Sequence, residues 1–152
     1  RALYKYRVRK PLPSFEFFEK FYALGSNPDF NGRIILCGFE GRIVGGIVCP
    51  FTPGGAIYEW YICGLDKEYR DMKIYPSVMA TWAAMESGHR IGCTRFDFMG
   101  LGLPERAYGV RDFKARFGGE WVNYGRWSRI NKPLLYSVAE LGYNVLRLIR
   151  RV

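Results

Sequence analysis

The sequence predicts a single α/β domain with a mixed sheet, because helix and strand patterns alternate within 152 residues, the usual size of one domain. Three apolar, β-branched runs follow one another with tight turns between them. A helical pattern then separates these runs from a fourth strand pattern. Because a helix intervenes, the fourth strand can lie parallel to the third.

The first predicted element is a helix over the run FEFFEKFYAL, with Ser14 as its N-cap and Gly25 after its last turn. Phe15, Phe18 and Tyr22 recur at helical spacing, so this aromatic stripe is expected in the core. A meander of three strands follows. The runs GRIILCGFE and GRIVGGIVCPF meet at Glu40-Gly41, and a second turn at residues 52–55 leads to AIYEWYICG.

The next helix begins at Pro76 and carries Val78, Trp82 and Met85 on one apolar face, and Gly88 is expected to end it. The run TRFDFMG predicts the parallel strand. The segment VRDFKARFGG then predicts a short helix that stops at Gly118, EWVNYGRW (residues 120–127) predicts a further strand, and Asn131-Lys132-Pro133 opens a terminal amphipathic helix. Its apolar side contains Leu141, Val145, Leu148 and Ile149, and its basic end contains Arg147, Arg150 and Arg151.

Composition limits the classes of function. Cys37, Cys49, Cys63 and Cys93 form no CxxC pair, and His89 is the single imidazole, so the sequence predicts buried, reduced thiols in the cytoplasm and no metal site. The net charge of +9 favours an anionic partner: a nucleic acid, a nucleotide-bearing donor or an anionic membrane surface. No run reaches the roughly 20 apolar residues of a membrane span.

The element order and four segments carry a family resemblance. YEWYICGLDKEYR, PSVMATWAAMESG, FDFMG and YGVRDFKARFGGEWVNY resemble, in order and spacing, the catalytic GNAT-like domain of the Fem family and the related BioF2-like acetyltransferases. Fem proteins are aminoacyl-tRNA-dependent transferases that build the interpeptide bridges of peptidoglycan. The resemblance covers residues 14–130 and implies a GNAT fold, in which two parallel strands splay apart and the substrates meet between them.

The resemblance also implies roles for residues of the segment 96–119. Lys114 matches the lysine of the Fem FK pair, which helps to hold the acyl donor and to stabilise the negative charge of the tetrahedral intermediate, and Phe113 is its aromatic partner. A fixed cation at such a charge contributes about 2.7–4 kcal/mol. The alternative is an amphipathic helix with a solvated lysine. Asp97, at the end of the parallel strand, either orients or deprotonates the amine, or caps a backbone amide or pairs with a nearby arginine.

The third strand and its following loop supply the other candidates. Glu59 is a candidate general base, and Tyr58 and Tyr61 are candidates for orienting the acceptor, although the run YEWY also predicts plain sheet packing. Tyr108 is a further substrate-binding candidate. The loop DKEYRDMKIYPS offers Arg70 and Lys73 for a donor's phosphates, but it lacks the glycine-rich turn that cradles the diphosphate of CoA in acetyl-CoA-using GNAT proteins.

The sequence therefore predicts an acyltransferase that moves an activated acyl group onto an amine, without a required cofactor. The resemblance favours aminoacyl-tRNA as donor and a cell-wall precursor as acceptor. The alternatives are an acetyl-CoA-dependent N-acetyltransferase and a non-catalytic basic module that binds tRNA or a cell-wall precursor. Residues 1–152 are expected to form one GNAT-like domain, the carboxyl-terminal half of a two-domain, cytoplasmic Fem-type protein. Its terminal helix either contacts an anionic membrane or tRNA, or packs on this domain or on the missing one.

Overall fold

The computed structural model describes residues 13–102, 105, 107–123, 125 and 128–149. The chain divides into two compact units, one that ends at Phe117 and one that begins at Gly118. The second unit contains α4 (Pro133–Ile149). The first contains α1 (Phe15–Leu24), β1 (Gly32–Phe39), β2 (Arg42–Pro50), β3 (Ala56–Tyr58), β4 (Tyr61–Gly64), a 3₁₀ turn (Arg70–Met72), α2 (Pro76–Arg90), β5 (Arg95–Asp97) and α3 (Gly109–Ala115).

β1 and β2 form the predicted tight hairpin. Glu40 and Gly41 lie between the paired residues Phe39 and Arg42, and their φ angles are 48° and 75°. Positive φ at both central residues is typical of the type I′ turn, whose twist matches that of the flanking strands. The hairpin begins an antiparallel sheet with the order β1-β2-β4, so the predicted meander is confirmed.

A β-bulge divides the third predicted strand into β3 and β4. Residues 48–51 of the second strand face residues 57–61 of the third, so four residues oppose five. The extra residue lies at Glu59-Trp60, where the amide of Trp60 donates to the carbonyl of Val48 at 3.1 Å. Because a bulge bends its strand and increases the local twist, β4 leaves the direction of β3.

The predicted parallel strand is confirmed, and among the described strands it pairs only with β3. Ala56 faces Arg95 and Tyr58 faces Asp97, and the pairing ends with a 2.9 Å bond from the Glu59 amide to the Asp97 carbonyl. Beyond this point β4 stays with β2, while the chain after β5 enters residues 98–102, which we call the β5 loop. The two chain segments therefore separate, as the mixed sheet of the predicted fold requires.

α2 packs on the sheet through small residues. A Cβ atom on Gly88 would lie 2.5 Å from Cγ2 of Ile57, so the helix lies too close to the sheet for large side chains between them. The predicted apolar face is therefore not the buried one: Val78 and Trp82 are 38% and 54% exposed, and Met85 is only partly buried. Gly88 does not end α2, because it is needed at this close approach. The buried residues of α2 are Pro76, Ala80, Thr81, Ala84 and Gly88.

α1 has the predicted limits but turns a different face to the core. Phe15 and Tyr22 are exposed, contrary to expectation, whereas Phe21 is buried with its ring centroid 4.9 Å from that of Phe30. The run FEFFEKFYAL contains two overlapping aromatic stripes, and contact with the sheet selects the one that includes Phe21. Ser14 takes the N-cap position without a side-chain capping bond.

The four thiols are free. Cys49 lies in the core with Ile47 and Ile57, and burial raises its pKa to about 12, as expected of an inert thiol. Cys37 and Cys93 are partly buried. Cys63 is exposed, contrary to the expectation of four buried thiols, because it lies on the sheet face opposite α2.

The second unit lacks the predicted strand over the described part of residues 120–127. Gly118, Gly119 and Gly125 all have positive φ, and the side chain of Asn123 accepts a 2.9 Å bond from the amide of Gly125. Such a turn competes with extended backbone. Gly118 has the predicted left-handed conformation, with a φ of 79°, but α3 already ends at Ala115 with Arg116 as its C-cap.

α4 confirms the predicted terminal helix. Its apolar side chains, among them Leu141, Val145 and Leu148, are all exposed. Arg147 lies in its last turn, whereas Arg150 and Arg151 and the side chain of Ile149 lie outside the described residues. Within the described part of the chain, no helix has the length and apolarity needed to cross a membrane.

Candidate acyl-transfer site

The bulge leaves one edge of β4 open at the separation of the two strands. The amide of Leu65 donates to the carbonyl of Val44 at 2.9 Å, so Tyr61, Cys63 and Leu65 direct their backbone groups to β2. In an antiparallel ladder the intervening residues point the opposite way. The N–H groups of Ile62 and Gly64 therefore face the gap between β4 and the β5 loop. A pair of unshared amides in a cleft can donate to a carbonyl oxygen that gains negative charge.

Two cations of α3 hold the β5 loop in place. The ammonium of Lys114 donates to the carbonyls of Phe98 and Gly100, the second at 3.3 Å, and Nε of Arg111 donates to the carbonyl of Leu101 at 3.1 Å. Lys114 and Arg111 lie three residues apart on one side of α3, and both are buried. Charged donors make stronger bonds than neutral ones, so this clamp fixes the wall of the cleft.

Glu59 and Lys114 form a buried ion pair under that wall. Oε1 of Glu59 lies 3.3 Å from Nζ of Lys114, and both side chains are less than 10% exposed. Burial raises the pKa of the Glu59 carboxyl above its ordinary value, and the charge of Lys114 with hydrogen bonds from Lys114 and Thr81 opposes this rise without cancelling it. Oε2 of Glu59 is buried and has no hydrogen-bond partner among the described residues. A carboxylate with a free oxygen and a raised pKa is suited to accept a proton.

Of the predicted catalytic residues, the structure brings Lys114 and Glu59 together and turns Asp97 aside. The side chain of Asp97 accepts a 2.7 Å bond from the amide of Met99, which has a φ of 59°. This contact supports a strained turn at the start of the β5 loop. Asp97 thus contacts its own loop in this structure, which matches the capping alternative.

The segment between β4 and α2, residues 65–75, forms what we call the β4 loop. Its own carbonyls accept five of its amides: Glu68 and Tyr69 donate to Leu65, Ile74 and Met72 donate to Tyr69, and Lys73 donates to Arg70. Lys73 is exposed in the left-handed region, with a φ of 57°. We call this loop closed on itself, because five of its amides are bound by its own carbonyls.

Asp66 caps α2. Its Oδ1 accepts the amide of Ser77 at 3.0 Å and the hydroxyl of Ser77 at 2.8 Å. A carboxylate at a helix N-terminus is stabilised by the partial positive charge there. The contact is close, because a Cβ atom on Gly64 would lie 2.6 Å from the Ser77 nitrogen.

Two cavities lie in the first unit. One, of about 500 Å³, is lined by Asp66, Arg70, Tyr75, Ser77, Val78, Phe113 and Arg116. It brings the predicted residues Arg70 and Phe113 together, and Lys73 does not line it. The other, of about 530 Å³, is apolar and lies between α1 and the sheet. Because its walls offer no carboxylate, imidazole or cation, we place the chemistry at the separated strands.

The three predicted tyrosines make different contacts. Tyr58 faces Asp97 across the parallel pair. Tyr61 packs on the aromatic side of α1, with its ring centroid 5.5 Å from that of Phe18, as the sheet-packing interpretation predicts. Tyr108 precedes α3 and packs on Gly102 of the β5 loop, where a Cβ atom would lie 3.0 Å from the ring.

Three residues of this region were not predicted from the sequence. Arg111 could have been found from its spacing of three residues to Lys114 on a helix. Asp66 and Thr81 carry no comparable signal, because their contacts depend on how the β4 loop and α2 fold back on the sheet. No group of three potential His, Cys, Asp or Glu ligands for a metal occurs among the residues that the structure describes.

Comparisons with known proteins identify the family and the fold. Residues 1–115 match the family model of the acetyltransferase (GNAT) domain. AAC(6')-Iy, solved with the bisubstrate analogue CoA-S-monomethyl-acetylneamine, superposes with a TM-score of 0.57 at 13% identity, covering 86% of this chain and 88% of that one. No curated protein sequence matches the chain significantly.

Two further structures have the same fold. A ribosomal-protein-alanine N-acetyltransferase from Brucella melitensis biovar Abortus 2308 has a TM-score of 0.53 at 15% identity, covering 85% of this chain and 89% of that one. The aminoglycoside acetyltransferase meta-AAC0020 from an uncultured soil metagenomic sample, solved with trehalose, has a TM-score of 0.53 at 15% identity, covering 85% of each chain. Because the family model spans more than half of the sequence, the chain belongs to the GNAT acetyltransferase family, and it is an acyltransferase.

Proposed function

We propose that this domain transfers an acyl group from a thioester onto an amine at the gap between β4 and the β5 loop. The observation that carries the proposal is the bulge at Glu59-Trp60, which places the open amide edge of β4 beside a buried carboxylate. The family match and the CoA-based bisubstrate analogue bound to AAC(6')-Iy favour a CoA thioester as the donor. In the sequence analysis this donor was the alternative, and aminoacyl-tRNA was favoured.

The backbone of β4 supplies the electrostatic part of the reaction. When the amine attacks the acyl carbonyl, a C–N bond forms and the carbonyl oxygen gains negative charge. The N–H of Ile62 points into the gap where that oxygen would lie. Removal of one such donor in other enzymes costs about 2.7–4 kcal/mol of transition-state stabilisation. The C–S bond then breaks, and the thiolate leaves and takes a proton.

Glu59 supplies the proton acceptor. The amine must lose a proton as the C–N bond forms, and the free Oε2 of Glu59 can take it. Because burial raises the pKa of Glu59, this carboxylate is a stronger base than one in water. The charge of Lys114 and its hydrogen bond oppose this rise in pKa.

Lys114 acts through the β5 loop in this proposal. An ammonium has three N–H donors, and Lys114 has three oxygen neighbours, on Glu59, Phe98 and Gly100. The predicted contact of Lys114 with the acyl carbonyl remains a prediction, and it requires one of these contacts to break when the donor binds. Asp97 contributes in the same indirect way, by supporting the turn at Met99.

An aminoacyl ester on tRNA is the second candidate donor. It is favoured by the closed β4 loop and by Asp66, both of which occupy the region where a CoA diphosphate would be expected. Attack of an amine on the ester carbonyl also places negative charge on the carbonyl oxygen, which the amides at the open edge of β4 can stabilise. A cell-wall precursor as acceptor, a second GNAT-like domain and a membrane contact through α4 belong to this candidate and remain predictions.

The test is transfer of labelled acetyl from acetyl-CoA, or of labelled amino acid from aminoacyl-tRNA, by the full chain to a panel of amines. The panel contains an aminoglycoside, a peptide with a free N-terminus and a lysine-containing cell-wall precursor. We expect Glu59→Gln to lower kcat by roughly 10²–10⁴-fold. Glu19→Gln, which removes an exposed carboxylate from α1, is the matched control and should leave kcat unchanged.

The pH profile identifies the base. The acid limb of kcat/KM should have its midpoint above the ordinary glutamate pKa of about 4.3, and Glu59→Gln should abolish that limb. Full activity of a folded Glu59→Gln protein would exclude Glu59 as the base. Absence of transfer from both donor classes by the folded wild-type chain would contradict catalysis by the chain alone.

A further inference from the structure

The N-terminus of α2 has few amides left for a donor's phosphates. A helix begins with unpaired N–H groups that can bind an anion. In α2 the first residue is Pro76, which has no N–H, and the amide of the second, Ser77, donates to Asp66. Two of the first three positions are therefore unable to serve a ligand. The carboxylate of Asp66 already occupies the anion position.

Five amides of the β4 loop are also engaged in other bonds. A phosphate-binding loop turns several successive amides towards the ligand. Here five amides donate to carbonyls of the same loop, at 2.9–3.3 Å. To free them for a diphosphate, the turn that contains Arg70–Met72 would have to unfold.

The charge nearest to the helix terminus acts in the same direction. A diphosphate at the helix terminus would meet the negative charge of Asp66 at close range. Arg70 and Arg116 line the same cavity, but both are exposed, so solvent and salt screen their attraction. Asp66 is partly buried, and its charge is held in place by two bonds from Ser77.

We infer that Asp66 is a specificity-determining residue that denies the α2 terminus to a diphosphate. The donor is then recognised by its acyl group and by the chain next to the thioester or ester, and the diphosphate of CoA adds little affinity. This inference rests on the proposed function, because it concerns the donor of the same site. Asp66 then has two roles: it caps α2, and it acts as a filter that selects against donors bound through a diphosphate.

The test is the binding of CoA and of pantetheine, which lacks the diphosphate, measured by calorimetry on the full chain. For the wild-type protein we expect the two Kd values to agree within about threefold. Asp66→Asn keeps an oxygen for the Ser77 amide and removes the charge, so it should tighten CoA by about tenfold, which is about 1.4 kcal/mol. Its Kd for pantetheine should stay unchanged.

Asp29→Asn is the matched control, since it removes one exposed carboxylate far along the chain from α2. It should change neither Kd. A wild-type protein that binds CoA a hundredfold more tightly than pantetheine would overturn the inference. So would an Asp66→Asn protein with unchanged CoA affinity, provided that its melting temperature shows a folded chain.

The result separates this inference from the proposed function. If the wild-type chain transfers acetyl from CoA but not from acetyl-pantetheine, the function holds and the role of Asp66 is refuted. If the chain transfers from neither and binds neither, gain of CoA binding by Asp66→Asn still supports the filter. Absence of that gain in the same case refutes it.

Discussion

The two loops that flank the gap are held in opposite ways. The β5 loop is fastened from outside, by Lys114 and Arg111 of α3, which bind three of its carbonyls. The β4 loop is fastened by its own backbone, with five internal amide bonds. The difference shows where stability and specificity reside. The wall nearest the chemistry depends on two buried cations, whereas the donor side depends on local turns and on one carboxylate at a helix terminus.

The largest effect should follow from removing the first cation of the β5 loop. Lys114→Met leaves Glu59 as an uncompensated buried carboxylate and frees two loop carbonyls, so we expect a loss of about 3–5 kcal/mol in the free energy of unfolding. Denaturant unfolding measures it. Lys132→Met, which changes an exposed lysine, is the matched control. A loss below 1 kcal/mol for Lys114→Met would show that the β5 loop is not held from outside.

The second cation should matter less, because the buried carboxylate of Glu59 pairs with Lys114 and stays compensated when Arg111 is replaced. Arg111→Met should lower the free energy of unfolding by about 1.5–3 kcal/mol, the range for a hydrogen bond to a charged group. Arg116→Met is the control, since Arg116 is exposed on the same helical segment. Equal effects for the two variants would refute the clamp by Arg111. The rate of amide hydrogen exchange in residues 98–102 should rise in Arg111→Met and stay unchanged in the control Arg116→Met.

The pH dependence of stability sharpens the same comparison. Because the folded-state pKa of Glu59 is raised, the folded protein binds its proton more tightly than the unfolded chain, and stability falls as pH rises from about 4.3 through the folded pKa. Lys114→Met removes two causes that lower this pKa, so its cost should grow with rising pH. The double variant Lys114→Met/Glu59→Gln should lose this growth. A cost of Lys114→Met that is independent of pH would show that Glu59 does not ionise in the fold.

The sequence was sufficient for features that depend on neighbours along the chain. The turn at Glu40-Gly41 and the helix start at Pro76 follow from local steric preferences, and both are confirmed. Gly118 has the predicted left-handed conformation, although α3 ends earlier, at Ala115. The run EWVNYGRW shows the limit of alternation, because over its described residues a local turn at Asn123 replaces the predicted strand.

The candidate site depends on contacts distant in sequence, so it was predicted only in part. Lys114 and Glu59 were both candidates. They lie 55 positions apart in the sequence, and nothing in either segment predicted that they would form an ion pair. The bulge that opens β4 depends on register with β2, which one strand alone does not specify. The cap of α2 by Asp66 spans eleven residues and depends on how the β4 loop closes.

The smallest effect should come from a side chain of the β4 loop that takes no part in its turns. Lys67 is exposed, and the bonds that hold the loop run between backbone groups. Lys67→Ala should therefore change the free energy of unfolding by less than about 0.5 kcal/mol, as is usual for surface positions. The same variant should leave the affinity for CoA within about twofold, because the diphosphate makes few contacts with a loop that is closed on itself. A tenfold loss of CoA affinity in Lys67→Ala would mean that this loop binds the donor through its side chains, and the contrast between the two loops would then concern stability alone.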